Sequence, residues 1–310
     1  MRFDDDPLFW APKYLQPIRP LNFSSEPSPP KAVWECVDSD GRSCVVKVVH
    51  ASRQKSITNE FLALTQLGPH FTGRVKIPHP LWMKTKGDYI LLSTDYIKSD
   101  SQQIAPPPKV ILYTLNKLSK LPCKIKLDQR RDPLTPTDID SSLFTSYAKD
   151  LVAHYLKTAN RTNKILKKHS QMIKSVVHGD FETNHFLWGF TSHHKTPFWY
   201  IIDWEHAHCG NILRDCTNLL TSEGILASKL LKKMVYPWHV GLFPKVMRFI
   251  KTFGVLECDL RIELQIVAIF KLDYLLKYGR EDFPQGKFEV EYLIKVIDTV
   301  SKIIEHRNLT

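Results

Sequence analysis

The residues of this chain best placed to do chemistry together lie in Val176-Val177-His178-Gly179-Asp180-Phe181-Glu182-Thr183-Asn184-His185-Phe186-Leu187-Trp188. Two β-branched residues run into His-Gly-Asp. Five positions past Asp180, His185, a potential metal ligand, leads into a second apolar run. This pattern predicts a short polar turn between two short strands, holding its side chains towards one point. Downstream, residues 198 to 202 form another strand-like run that ends abruptly in Asp203-Trp204-Glu205. An acidic group at a strand end beside such a turn suggests a phosphoryl-transfer centre.

Elements able to position such a centre can be read on both sides of it. In residues 1–30, prolines at 7, 12, 17, 20, 27, 29 and 30 leave little helix signal, and Leu15 to Phe23 can supply one strand. Ala32 to Val37 and Arg42 to Val49 then read as a hairpin turned by Asp40-Gly41. Lys47 sits among β-branched residues in the second of these strands, either as a rim residue reaching water or as an internal phosphate ligand. Ser56 to Leu67 reads as a helix, with Ser56 as cap, Ile57, Phe61 and Leu64 on one face, and Gly68 as terminator. Glu60 lies between those apolar positions, within reach of Lys47. A strand Lys held by a helix Glu is the ion pair that orients a lysine onto nucleotide phosphates in kinases. Leu81 to Lys84 and Tyr89 to Ser93 form a further hairpin around Lys86-Gly87-Asp88, after which residues 94 to 97 leave the sheet. The composition turns helical beyond Lys98, which places a lobe boundary near 97, with lobes 1–97 and 98–310.

Three helices are expected within 109–175, the middle one bearing Leu143, Phe144, Tyr147, Leu151, Val152 and Tyr155, and four more at about 223–235, 240–253, 259–278 and 288–306. The stripe of Tyr292, Leu293, Val296, Ile297, Val300, Ile303 and Ile304 on the last reads as core.

Composition bounds the partners. With 310 residues, 43% of them hydrophobic, the chain can bury one large core or two coupled lobes. Its start carries Asp4, Asp5 and Asp6 and no apolar leader, and no uncharged run approaches the roughly 18 residues of a membrane span, so the chain reads as cytosolic and free of membrane partners. Six cysteines without paired spacing fit reduced thiols. The net charge of +11 favours anionic partners. Its lysines are scattered over helices without an aromatic-interleaved strip, which reads as a solvated basic face and argues against nucleic acid.

With Lys47, Glu60, His178-Gly179-Asp180 and Ile201-Ile202-Asp203-Trp204-Glu205 in this order, the chain resembles the aminoglycoside phosphotransferase and choline kinase-like family from about residue 15 to 300. The two central motifs, 23 residues apart (203 − 180), are its most specific part. The resemblance implies an α+β, protein kinase-like bilobal fold, with a small β-rich N-lobe and a larger helical C-lobe. It also implies an enzyme that transfers the γ-phosphate of ATP or GTP to a hydroxyl of a small molecule. Gly210 to Asp215 resembles the family's Gly-Asp-Pro segment with its closing Asp, although Asn211 and Ile212 stand where Asp and Pro are usual. A structural role in tying down the loop is expected for Asp215.

One departure bears on the chemistry. The family usually has Asn five residues past the catalytic Asp, and here that position is His185, with Asn184 one place earlier. The aminoglycoside 2″-phosphotransferases and macrolide phosphotransferases place His there, so the resemblance implies that His185 serves as a metal ligand. The alternative is a degraded site in a nucleotide-binding regulator. By the same resemblance Lys47, steadied by Glu60, holds the α/β phosphates, Asp203 and His185 bind Mg²⁺, and Asp180 orients the substrate hydroxyl or accepts its proton. Mn²⁺ could also serve, since imidazole is a softer ligand than Mg²⁺ usually selects. His178 is expected to stabilise the turn. The hinge that meets the nucleotide base falls at Thr94 to Tyr96, with Asp95 and the neighbouring Ile97 as nucleotide-binding positions.

Other signals are weaker. Gly68 to Arg74 mimics P-loop spacing but lacks the Lys-Ser/Thr ending and follows a helix. His206, His208, Cys209 and Cys216 match no usual zinc spacing, and His193-His194 reads as an exposed polar turn. A protein kinase is disfavoured, because His178-Gly179-Asp180 stands in place of His-Arg-Asp and no Asp-Phe-Gly or Ala-Pro-Glu motif brackets an activation segment. Lysine-rich helices would repel a polycationic aminoglycoside. The acceptor pocket is expected among residues 130–160 and the helices after 223, with Glu205, Asp215 and Asp273 as candidate contacts.

Overall fold

A computed structural model describes residues 11–23, 31–99, 105–121, 175–194, 196–210, 212–222 and 237–252. The helices expected at 143–155, 223–235, 259–278 and 288–306, and most of the expected acceptor region, lie outside the described residues. Two compact units share the chain. The first runs to Lys117 and takes in His178–Cys209; the second holds the described parts of Leu118–Cys123, Gln129–Val177 and Gly210–Thr310.

The first unit is built on a five-stranded antiparallel sheet. Its strands are β1 (Gln16–Phe23), β2 (Lys31–Val37), β3 (Ser43–His50), β5 (Pro80–Lys86) and β6 (Tyr89–Asp95), in the spatial order β1-β2-β3-β6-β5. The two expected hairpins form, and each turns on a glycine with positive φ, Gly41 at 74° and Gly87 at 57°, a conformation that costs a residue without Cβ nothing.

Alternation along β3 decides where Lys47 points. Cys44, Val46 and Val48 are fully buried on one face with Leu15, Ala32, Trp34, Cys36 and Leu91. Lys47 therefore belongs to the opposite face, which is covered by helix α1 (Gln54–Leu67). The buried stripe of α1 is Ile57, Asn59, Glu60, Ala63, Leu64 and Leu67, so Glu60 occupies a core-facing position and Phe61 is only half-buried. Arg53, not Ser56, stands at the N-cap, without a side-chain cap bond; Ser56 lies inside the helix. Gly68 ends α1 in a right-handed conformation and passes into one short 3₁₀ turn.

A second sheet in the same unit orders β4 (Val75–Lys76), β10 (Phe198–Ile201), β9 (Phe186–Phe190) and β7 (Lys98–Ser99). Antiparallel pairing of β9 with β10 aligns Ile201 with Phe186 and so brings Asp203 back beside His185. Helix α2 (Pro108–Lys120) follows β7 in sequence, and strand β8 (Ser175–Val177) leads into His178.

Strand β11 (His208–Gly210) closes the segment that follows Asp203. In the second unit, helix α3 (Leu213–Ser222) packs on α4 (Pro237–Lys251), where Leu242, Val246 and Ile250 form an i, i+4, i+8 buried stripe. Asp215 is fully buried in the first turn of α3, the end at which the helix dipole favours a carboxylate. Cys36, Cys44 and Cys216 are free thiols, as expected, whereas Cys209 is disulfide-bonded. Among the described residues no helix is long and apolar enough to cross a membrane.

Candidate active site

The site is assembled around one buried ammonium. Lys47 Nζ donates to Glu60 Oε2 at 2.6 Å and to Asp203 Oδ1 at 2.8 Å, with its side chain 12% exposed. Burial opposes the charge, but Asp203, then Glu60 and Glu205, outweigh it and hold the Lys47 ammonium above its ordinary range. Removing one member of such a cluster leaves a buried charge uncompensated, a loss of roughly 3–5 kcal/mol. The first of the two readings of Lys47, a rim residue reaching water, is excluded by this geometry.

Asp203 is delivered by a strained turn. It is the only described non-glycine residue with positive φ, at φ 65° and ψ 60°, and it opens a 3₁₀ turn over Trp204–His206. A left-handed aspartate costs roughly 1–2 kcal/mol and persists only where its surroundings over-determine it. The constraints here are numerous. Trp204 is fully buried and donates Nε1–H to the Ile201 carbonyl at 3.0 Å. From α1, Asn59 donates to the carbonyls of Glu205 and Ala207, and Ser56 Oγ donates to Glu205 Oε2 at 3.3 Å.

The His178-Gly179-Asp180 turn faces this loop. His178 is fully buried, donates Nε2–H to the Ile202 carbonyl at 2.9 Å and lies against Trp204, with ring centroids 4.6 Å apart. Burial, and secondarily the ring of His185 stacked 5.6 Å away, push its pKa down to about 4, so His178 is a neutral structural pin. Gly179 turns with φ +86°, and a Cβ there would run into the carbonyl of His206.

His185 ends a short 3₁₀ turn over Thr183–His185, and its Nδ1 lies 2.7 Å from the backbone carbonyl of Asp180. A carbonyl has no proton to give, so Nδ1 is the donor, and in the neutral ring Nε2 is the nitrogen that carries the lone pair. That nitrogen lies 3.8 Å from Asp180 Oδ2 and 3.9 Å from Asp203 Oδ2, too far for hydrogen bonds. One imidazole lone pair facing two carboxylates, with the other ring nitrogen anchored on a carbonyl, is a donor set that fits a divalent cation. Asn184 is exposed instead. Asp180 keeps the most open carboxylate of the group, 37% exposed against 26% for Asp203 and 6% for Glu60.

Asp95 and Ile97 stand apart from this cluster. Asp95 ends β6, and its carboxylate accepts from the His79 N–H at 3.4 Å and lies 3.6 Å from His193 Nε2. Burial raises the Asp95 pKa against the opposing effect of His193. Ile97 is buried. His193 is exposed as expected, but His194 is half-buried, within 3.2 Å of Thr191 Oγ1 and 3.3 Å of the Tyr200 hydroxyl. No zinc cluster forms from His206, His208 and Cys209 among the described residues, where the group of ligand atoms that converges within 4.8 Å is Glu60, Asp203 and Glu205. Sequence reasoning missed Arg53, Ser56 and Asn59 as partners of the segment 205–207. Glu205, a candidate acceptor contact from sequence, is buried and held by Ser56 and, at 3.7 Å, by Arg53.

A model of the phosphotransferase enzyme family matches residues 31–231. No curated protein sequence matches significantly. Among solved structures, an amicoumacin kinase in complex with AMP-PNP, Ca²⁺ and Ami aligns with a TM-score of 0.61 at 13% identity, over 93% of this chain and 89% of that one. The choline kinase of Streptococcus pneumoniae aligns at 0.54 and 10% identity, over 92% and 93%. An aminoglycoside phosphotransferase from Streptomyces rimosus, in complex with ADP and streptomycin, aligns at 0.50 and 15% identity, over 80% and 91%. At these identities the likeness concerns the fold, which is the expected α+β, protein kinase-like one.

Two predictions follow from the turn. Gly179→Ala should destabilise the protein by more than about 2 kcal/mol, since strain and collision add; an unchanged thermal midpoint would contradict this. His178 binds a proton near 6.5 when unfolded and near 4 when folded. The stability carried by its neutral ring is therefore complete above 6.5 and lost as pH falls towards 4, by up to about 3 kcal/mol. Denaturant titrations between pH 7.5 and 4.5 should show a shallower acid loss for His178→Gln than for the wild type.

Proposed function

Since the chain belongs to the phosphotransferase enzyme family, we propose that it moves the γ-phosphate of ATP or GTP onto a hydroxyl of a small molecule. One observation carries this reading: the Lys47 ammonium is held between Glu60 and Asp203 while Nε2 of His185 faces the carboxylates of Asp203 and Asp180.

Phosphoryl transfer asks a protein for positioning and charge stabilisation rather than covalent chemistry. Lys47, kept charged and aimed by Glu60, contacts the α/β phosphates. Asp203 and His185 would hold Mg²⁺ or Mn²⁺, which when bound neutralises charge on the phosphate oxygens. Asp180, with its exposed carboxylate, orients the acceptor hydroxyl towards the γ-phosphate and takes its proton. The nucleotide base meets the backbone of the segment holding Asp95 and Ile97, since the Asp95 carboxylate is already engaged by His79 and His193. Residues 1–97 form the nucleotide lobe in this reading, and residues 98–310 carry the catalytic turn and the acceptor site. One protein of similar fold, an aminoglycoside phosphotransferase, is solved in complex with ADP and streptomycin. A chain of net charge +11 suits a neutral or acidic hydroxyl compound better than a polycation.

The test is nucleotide turnover by purified protein, with Mg²⁺ and with Mn²⁺, against a panel of hydroxyl compounds including sugars, amino alcohols, nucleosides and macrolides. Transfer to at least one of them is expected. Asp180→Asn should lower kcat by a factor of 100 or more while leaving nucleotide affinity within about threefold. Tight nucleotide binding without turnover on any acceptor would favour a nucleotide-binding regulator instead.

A further inference from the structure

Helix α1 carries two adjacent buried polar residues, and the reading above uses only one. Glu60 reaches Lys47. Asn59 is 6% exposed, and its Nδ2 donates to the carbonyls of Glu205 at 3.2 Å and Ala207 at 2.6 Å. Those carbonyls belong to the segment that leaves Asp203, 146 and 148 positions away in sequence. The 3₁₀ turn over Trp204–His206 closes with the Ala207 N–H on the Trp204 carbonyl, and the His206 carbonyl accepts from the His208 ring at 2.8 Å. Asn59 serves the carbonyls on either side of that one, and its Nδ2 carries the two hydrogens these two acceptors require.

We propose that Asn59 is a positioning residue of the metal site. It ties the left-handed Asp203 turn to the same helix that presents Glu60, so that a single rigid element sets the ammonium of Lys47 and the carboxylate of Asp203 together. A turn strained at Asp203 relaxes unless it is held, and relaxation moves the carboxylate away from both Lys47 and His185. Ser56, one turn earlier on the same face, bonds the Glu205 side chain and reinforces the attachment without touching the backbone. The helix therefore acts as a clamp on the loop, a device that suits a chain in which no Asp-Phe-Gly and Ala-Pro-Glu pair brackets an activation segment. This inference rests on the phosphotransferase reading.

The test compares Asn59→Ala and Asn59→Asp with a control on the same helix, Leu64→Ala, which removes buried apolar volume but leaves the amide in place. Binding of Mn²⁺ is measured by electron paramagnetic resonance in the presence of a non-hydrolysable ATP analogue, alongside thermal midpoints. Both Asn59 variants should weaken Mn²⁺ binding by about 10–100-fold, as loss of an outer-shell partner does. Leu64→Ala should lower the thermal midpoint at least as much and leave Mn²⁺ affinity within threefold. Wild-type affinity in either folded Asn59 variant, or an equal loss in Leu64→Ala, would overturn the proposal while sparing the phosphotransferase reading. Asn59→Asp keeps the side-chain volume should Asn59→Ala not fold. Failure of the wild type itself to bind Mn²⁺ with nucleotide would overturn that reading and this inference with it.

Discussion

An ammonium buried among carboxylates is the constraint on which the rest of the first unit depends. Desolvating Lys47 is tolerable only if both carboxylates arrive, and they come from distant stretches: Glu60 from the helix that follows β3, Asp203 from the end of β10. Strand alternation turns Lys47 away from the apolar core and towards α1, and the pairing of β9 with β10 returns Asp203 to the same place. Sheet, helix and loop are thus coupled through one charge, and a displacement of any of them deprives a largely buried ion of a partner.

Around that charge two turns take left-handed backbone, open to Gly179 without cost but strained at Asp203. Gly179 and Asp203 both have positive φ, and the carbonyl of His206 packs where a side chain on Gly179 would be. His178, kept neutral by burial between Trp204 and His185, fastens the two turns through the Ile202 carbonyl. The outcome is a set of side chains whose orientation is fixed before any ligand arrives: the His185 tautomer by a backbone carbonyl, the Asp203 carboxylate by Lys47 and the loop by Asn59. Preorganisation of this kind is what phosphoryl transfer rewards, since little reorganisation is left to the reacting complex.

Much of this was legible in the sequence because the signals were local. Asp40-Gly41 and Lys86-Gly87-Asp88 mark their hairpins through a glycine that supplies positive φ, and β-branched alternation marks β3. Local signals also misled. Ser56 has the chemistry of a cap and sits before an apolar stripe, but its hydroxyl is bonded to Glu205, 149 residues away, and the helix starts earlier. Phe61 fits the helical period less well than Ala63 and Leu67 because the buried face is centred on Glu60, a position that hydrophobicity alone would place at the rim. Cys209 offered no pairing pattern and is nevertheless disulfide-bonded.

The residues by themselves determined the order of elements, the pairing of strands joined by short turns, and the chemical types gathered near the centre, since each depends on neighbours within a few positions. They also carried the family membership, because His178-Gly179-Asp180 and Asp203 keep their spacing. Only the tertiary structure decided that Lys47 is internal, that His185 rather than Asn184 faces the carboxylates, and that Asn59 holds the loop. The first and third rest on contacts spanning 146 to 156 positions, and the second on a ring orientation fixed by the Asp180 carbonyl within a folded turn; residue spacing alone encodes neither.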